Sequence, residues 1–293
     1  MTQPLATQKP TLLAVICILA SCFYMYEFIL QISPGVITRE LTQDLELDAI
    51  SLGTMVAFYY YAYTPMQLPA GFLFDRFGPR RLLTVAVLAC ATGALLFATT
   101  NNVITASMGR FLMGGGSAFS FIGTLVLVSR WFPARYFAFL TGLVELMSCV
   151  GAIIGERPLT VAVAQWGWRH TILGLSVIGL ILALLIWLIV RDSPEVVSTG
   201  KRFQSTSQKT FRQNFKQVAR NPQTWFVALY SFMVWSPITA FATLWGVPFL
   251  VAAYGLSTKA AATASMMIWV AIGLGCPLLG VVVGQGQPAS NAA

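Results

Sequence analysis

Five ionisable residues stand inside apolar stretches of this chain: Glu27, Arg110, Glu145, Glu156 and Arg157. A charge at mid-bilayer costs about 2.5–3.5 kcal/mol on insertion scales, so such residues mark solute or ion paths. Tyr24, Glu27 and Gln31 fall at i, i+3, i+7 spacing and share one helix face. That face is polar and is expected to line a cavity. A carboxyl removed from water favours its neutral form, which makes Glu27 a proton-coupling candidate. The alternative is a structural acid satisfied by an arginine. Arg110 is either that partner or a bidentate contact for a substrate carboxylate. Glu145 is the second proton-coupling candidate, or else a further member of the Arg110 pair. Glu156 and Arg157 are adjacent and cannot share a helix face, so an interfacial structural role is expected for each.

Tyr60, Tyr63 and Gln67 share a face of the next apolar stretch, and Trp235 lies in a later one. Their hydroxyl, amide and indole groups suit a polar solute. Tyr24, Gln31, Tyr60, Tyr63, Gln67, Arg110 and Trp235 are therefore the substrate-cavity candidates, with membrane-interface anchoring as the plainer reading of the aromatics. His170 is the single histidine, and its boundary position suggests a surface role.

Other chemistries find no residues to carry them. There is no G-x-S-x-G, no H-E-x-x-H and no P-loop. Without a P-loop, ion gradients remain as the energy source; no cofactor and no metal is expected. Cys17, Cys22, Cys90, Cys149 and Cys276 all fall in apolar stretches, and none forms a C-x-x-C pair. They read as buried free thiols.

The elements that position these groups follow from composition. Hydrophobic residues make up 57% of the 293 residues and charged residues 10%. A soluble domain carries about 25% charged residues. Apolar runs at 12–32, 50–72, 82–99, 104–128, 137–161, 171–190, 225–253 and 260–283 are each long enough to cross a bilayer. The fold class is all-α integral membrane, with the lipid bilayer as an obligate partner. Pro237 and Pro248 are expected to kink the seventh run. The N-terminus has one cation, Lys9, and no clear cleavage site, so the first run reads as a membrane helix.

Lysine and arginine counts set orientation. With the N-terminus in the cytoplasm, the inner segments hold Lys9, Arg76, Arg80, Arg81, Arg130, Arg135 and seven cations between Arg191 and Arg220. The outer loops hold Arg39, Arg169 and Lys259. This bias explains the net charge of +8 without nucleic acid. A multi-pass protein of a bacterial inner membrane is expected. Residues 192–222 form a polar central loop, in which Phe211, Phe215 and Val218 recur at helical spacing among basic residues. An amphipathic helix on the inner surface fits, and so does a disordered linker. The expected units are a six-helix bundle at 1–191, the central loop at 192–222, a partial bundle of two helices at 223–285 and a tail at 286–293. A weak repeat relates the halves: Asp48 and Ser257 read as N-caps, each with a glycine 23 residues on, Gly71 and Gly280.

The loop after the second span reads Gly71-Phe72-Leu73-Phe74-Asp75-Arg76-Phe77-Gly78-Pro79-Arg80-Arg81. It resembles the major facilitator signature G-x-L-x-D-R-x-G-R-K, with Pro79 where a cation is common. Gly71 and Gly78 suit close helix approach and a tight turn. Asp75 calls for a cation or a helix N-terminus, and Arg76, Arg80 and Arg81 anchor the basic side. In the fourth span, Arg110, Gly114, Gly116 and Ala118 resemble the family's R-x-x-x-G-x-G-x-A pattern. The resemblance implies a major facilitator fold and a secondary transporter that binds solute between two halves. Gly142, Gly151 and Gly155 are similar to the antiporter glycine motif, but Glu156 and Arg157 separate the last glycine from Pro158. Close packing is the plainer role for them. Tyr24 to Phe28, Trp131 to Arg135 and Gly155 to Pro158 are similar to the phagosomal nutrient transporters of intracellular bacteria.

The resemblance therefore points to proton-coupled uptake of a small polar solute, amino acid-like or nucleoside-like. An exporter of amphiphilic compounds and a non-transporting remnant are the alternatives. Family members usually have 12 spans, and this chain has eight, so alone it is expected to transport poorly or not at all. In the family the Gly71–Arg81 loop braces a late helix; here Asp75 is expected to pair locally, with Arg76, Arg80, Arg130 or Arg135.

Overall fold

The computed structural model describes residues 10–133, 136–192 and 215–286. Every extended element among them is a helix, and no strand occurs among the described residues. In order they are α1 (Pro10–Val36), α2 (Thr38–Asp44), α3 (Ala49–Phe77), α4 (Pro79–Thr99), α5 (Val103–Ser117), α6 (Ser120–Trp131), α7 (Phe137–Ile189), α8 (Pro222–Ala240), a π-helical turn (Phe241–Trp245), α9 (Gly246–Tyr254) and α10 (Thr258–Gly286).

All eight expected spans coincide with helices, four of them in altered form. The fourth is broken at Ala118 and Phe119 into α5 and α6. The fifth and sixth run together as the 53-residue α7, which turns at Gly167 (φ 77°). At 1.5 Å per residue α7 is about 80 Å long, enough for two crossings of a ~30 Å core. The seventh is interrupted by the π-helical turn that follows Pro237, a proline being unable to donate the regular helix bond. By length and apolar content alone, five stretches qualify as crossings: Leu13–Val36, Pro79–Thr99, Val103–Trp131, Phe137–Ile189 and Thr258–Leu279. The tyrosine-rich α3 and the interrupted seventh span do not qualify by those two measures.

Both expected N-caps form. The Asp48 carboxylate accepts from the Ser51 amide at 2.8 Å, and the Ser257 hydroxyl accepts from the Ala260 amide at 3.3 Å. The Ser51 hydrogen bonds hold the exposed Asp48 carboxyl below the usual range. Lys9, Arg135, most of the central loop and the tail lie outside the described residues. Residues 215–220 are helical, with Phe215 and Val218 half exposed.

Helix α1 packs on α7, α4 on α5 and α7, α3 on α5, and α7 on α10. Lipid tails are as apolar as leucine, so such contacts rest on close fit and interhelical hydrogen bonds. Glycines supply the fit. A Cβ at Gly114 would collide with the Tyr59 carbonyl, and one at Gly151 with the Met25 carbonyl. These contacts seat α5 on α3 and α7 on α1. Helix α8, by contrast, buries no residue.

Candidate functional site

The α3–α5 and α1–α7 crossings bring one group of polar side chains together. Glu27 is fully buried (0% exposed). The Tyr59 hydroxyl donates to Glu27 Oε1 at 2.6 Å, while Glu27 Oε2 has no hydrogen-bond partner among the described residues. The Tyr59 ring stacks on Tyr63 (5.8 Å, 17°) and meets Tyr60 edge-on at 5.2 Å. From α7, Glu145 accepts a long 3.3 Å bond from the Tyr24 hydroxyl and another from Ser148. Tyr24, Glu27, Tyr63 and Glu145 all lie within electrostatic reach of one another.

Arg110 is also fully buried, and it does not pair with either acid. Its Nη1 donates to the Leu30 carbonyl at 2.8 Å. The guanidinium carbon lies 4.7 Å from the Tyr59 ring centroid, a cation–π contact. Its Nε and Nη2 have no partner among the described residues. The Tyr59 ring thus touches the guanidinium while its hydroxyl bonds the Glu27 carboxyl. This corrects the expectation of an Arg110 pair with Glu27 or Glu145. The reason is geometric: α5 delivers Arg110 to the carbonyl side of α1, at Leu30.

Of the other cavity candidates, Gln31 is buried, Tyr60 and Tyr63 are half-buried, and Gln67 is exposed. Trp235 is 41% exposed on α8 and is not brought to this group. Tyr59 itself was missed by the sequence reading. The signal for it was the Tyr59–Tyr61 run, in which only position 59 faces inward (0% exposed).

The Gly71–Arg81 loop closes one end of the bundle. Asp75 pairs with Arg130 at 3.2 Å, one of the four expected partners. Gly78 has φ 80°, and a Cβ there would lie 2.6 Å from Asp192 Oδ1. Asp192 accepts from the Arg80 amide at 2.9 Å, which ties the start of α4 to the segment after α7. The Arg80 side chain donates to the Trp187 carbonyl and lies over its ring. Arg76 lies over Phe77, and Arg81 is exposed. Gly71 departs from expectation: a Cβ there meets nothing within 4 Å, so no close helix approach requires it. At the opposite end, Asp44 binds both Arg169 (3.5 Å) and the Trp168 indole (2.8 Å).

Glycines of α7 do pack closely, as expected. Gly142 lies against the Cys276–Pro277 backbone, and Gly155 against Ile29. Glu156 departs from its interfacial assignment. It is 1% exposed and accepts from the Ser265 hydroxyl of α10 at 2.9 Å. No group of three or more metal-ligating side chains occurs among the described residues.

A family model described as Major Facilitator Superfamily matches residues 14–287. A probable sulfoacetate transporter of Cupriavidus necator is 26% identical over 184 residues, covering 63% of this chain and 42% of its own length. A galacturonate transporter of Dickeya chrysanthemi is 25% identical over 254 residues, 82% of this chain and 72% of its own. The chain thus spans less than half of the first of these relatives. Among solved structures, a bacterial homolog of the human lysosomal transporter Spinster, inward-facing and occupied, superposes with a TM-score of 0.69 at 17% identity. That match covers 98% of this chain and 64% of the other. A proton:xylose symporter bound to a bromodeoxyglucose gives 0.64 at 14% identity, over 95% and 70%. These two structures speak to the fold alone.

Proposed function

The chain belongs to the Major Facilitator Superfamily, and from that premise we propose that it serves proton-coupled uptake of a small organic anion. One observation carries the proposal: Glu27 is buried with a single donor, Tyr59, and no cation paired with it among the described residues. A lone mid-membrane charge costs about 2.5–3.5 kcal/mol. One hydrogen bond to a charged group returns about 1.5–3 kcal/mol. The two terms nearly cancel, so a modest proton gradient suffices to switch the carboxyl. A permanently paired acid would have no such freedom.

Solute and proton then bind together for an electrostatic reason. An ionised Glu27 repels an anion arriving near it, and a neutral Glu27 does not. By linkage, each ligand raises the affinity for the other. The unpartnered Nε and Nη2 of Arg110, with the tyrosine hydroxyls, offer donors to a carboxylate or sulfonate. The named relatives favour this class over an amino acid-like or nucleoside-like solute. They lend no support to the narrower phagosomal branch. A multi-pass bacterial inner-membrane protein with a cytoplasmic N-terminus, divided into a six-helix unit, a central loop and a two-helix unit, completes the proposal. No cofactor is needed.

A second reading, a membrane chain that does not itself transport, is favoured by the bare helix α8. The test is uptake of labelled galacturonate, glucarate and sulfoacetate into vesicles holding the protein, with and without an inward acid gradient. Gradient-driven accumulation of one of them supports the uptake reading and overturns the expectation that eight spans alone transport poorly. No accumulation of any selects the second reading.

A further inference from the structure

Helices α7 and α10 run antiparallel in contact over most of a membrane thickness. Gly142 lies on Cys276 and Pro277, Cys149 on Gly273, and Glu156 on Ser265. The last of these contacts is polar. Glu156 Oε1 accepts from Ser265, and Glu156 Oε2 has no partner among the described residues. The Trp269 indole N–H, one turn along α10, is turned toward the same carboxyl without closing a hydrogen bond. Glu156, Ser265 and Trp269 are all at least 98% buried.

We infer that Glu156 is a second proton-exchanging residue, and that its charge state sets how closely α10 is held to α7. The inference rests on the transport reading above. Neutral Glu156 needs only the Ser265 donor. Ionised Glu156 is acceptor-only, with room for two donors, and draws in the Trp269 N–H as well. Both donors come from α10, so gain or loss of one proton changes an interhelical contact. The step is a protonation: a proton adds to, or leaves, one carboxyl oxygen, and no other bond breaks.

Among the described residues no cation pairs with this carboxyl. On α7 its neighbour Arg157 is exposed and faces elsewhere. On α10 the nearest cation in sequence, Lys259, is exposed beyond the buried segment. The buried charges on neighbouring helices are engaged elsewhere, Glu27 of α1 with Tyr59 and Arg110 of α5 with the Leu30 carbonyl, while Glu145 and Cys149 lie further along α7 itself. On the α1 side, Trp269 meets Phe28 edge-on at 5.7 Å, and Phe28 meets Tyr24 at 5.2 Å. Tyr24 in turn bonds Glu145. A shift of Trp269 therefore bears directly on aromatic side chains that reach the first acidic group.

The test is the emission of Trp269 between pH 4 and 10 in lipid nanodiscs, isolated by subtracting the W269F protein. A pH-dependent change is expected in the wild type and in E27Q, and none in E156Q. No change in the wild type, survival in E156Q, or loss in E27Q overturns the inference. Should E156Q not fold, S265A replaces it. Loss of that donor should move the midpoint by about one pH unit, and an unmoved midpoint overturns the inference equally. No transport is measured here, so failure of the uptake reading leaves this result intact.

Discussion

Glu27 and Tyr59 are joined by a 2.6 Å hydrogen bond between α1 and α3, and the Tyr59 ring also lies against the Arg110 guanidinium. One aromatic side chain thus contacts both buried charges of the first helices. Neither acid of the group pairs with Arg110.

Removing only the hydroxyl tests what that bond does. Y59F should lower acid-driven uptake by about tenfold, the equivalent of one hydrogen bond of about 1.4 kcal/mol. Y24F should lower it less than threefold, since the Tyr24–Glu145 bond is long, at 3.3 Å. Uptake rates of the two variants, measured side by side, check the order; equal losses contradict it.

Arg110 is held by shape as well as charge. R110K keeps the cation but loses the planar contact with Tyr59 and the fixed donor to Leu30. Stability should fall by about 1–3 kcal/mol. Equilibrium unfolding in mixed micelles measures it, and wild-type stability in R110K contradicts the geometry.

The α3–α5 crossing leaves no room at Gly114. G114A should cost about 1–3 kcal/mol through overpacking, and G71A, at a position facing open space, close to nothing. The same unfolding measurement compares them. A G71A protein as damaged as G114A would show that the loop glycine is packed after all.

The Asp75–Arg130 bridge is 60% exposed on the acid side. Such pairs contribute about 0–1 kcal/mol. D75N should therefore leave stability almost unchanged. A loss above about 2 kcal/mol would mean that the bridge is more than a surface contact.

The eight helical runs were legible because apolar stretches and basic loops are one-dimensional signals, although α3 and the seventh run are less apolar than the rest. The caps at Asp48 and Ser257 were legible for the same reason: a cap reaches only three residues ahead. Glu27 stood out as an acid in an apolar run. Its partner did not, because Tyr59, Tyr60 and Tyr61 are equivalent until α5 crosses α3 at Gly114 and fixes which one faces inward. Glu156 was assigned to the interface because its partner Ser265 lies 109 residues away. Gly71 was over-read: its place in a loop signature carries no information about whether a neighbour approaches. Asp192, which caps the turn at Gly78, gave no local signal.

The most direct measurement separates proton-driven accumulation from exchange. Vesicles holding wild-type protein or E27Q are given labelled galacturonate under an inward acid gradient, and in parallel under counterflow with no gradient. The account predicts that the wild type accumulates label in both assays, whereas E27Q keeps counterflow and loses gradient-driven accumulation. Accumulation by E27Q at the wild-type level under the gradient would contradict it and leave Glu27 a structural acid.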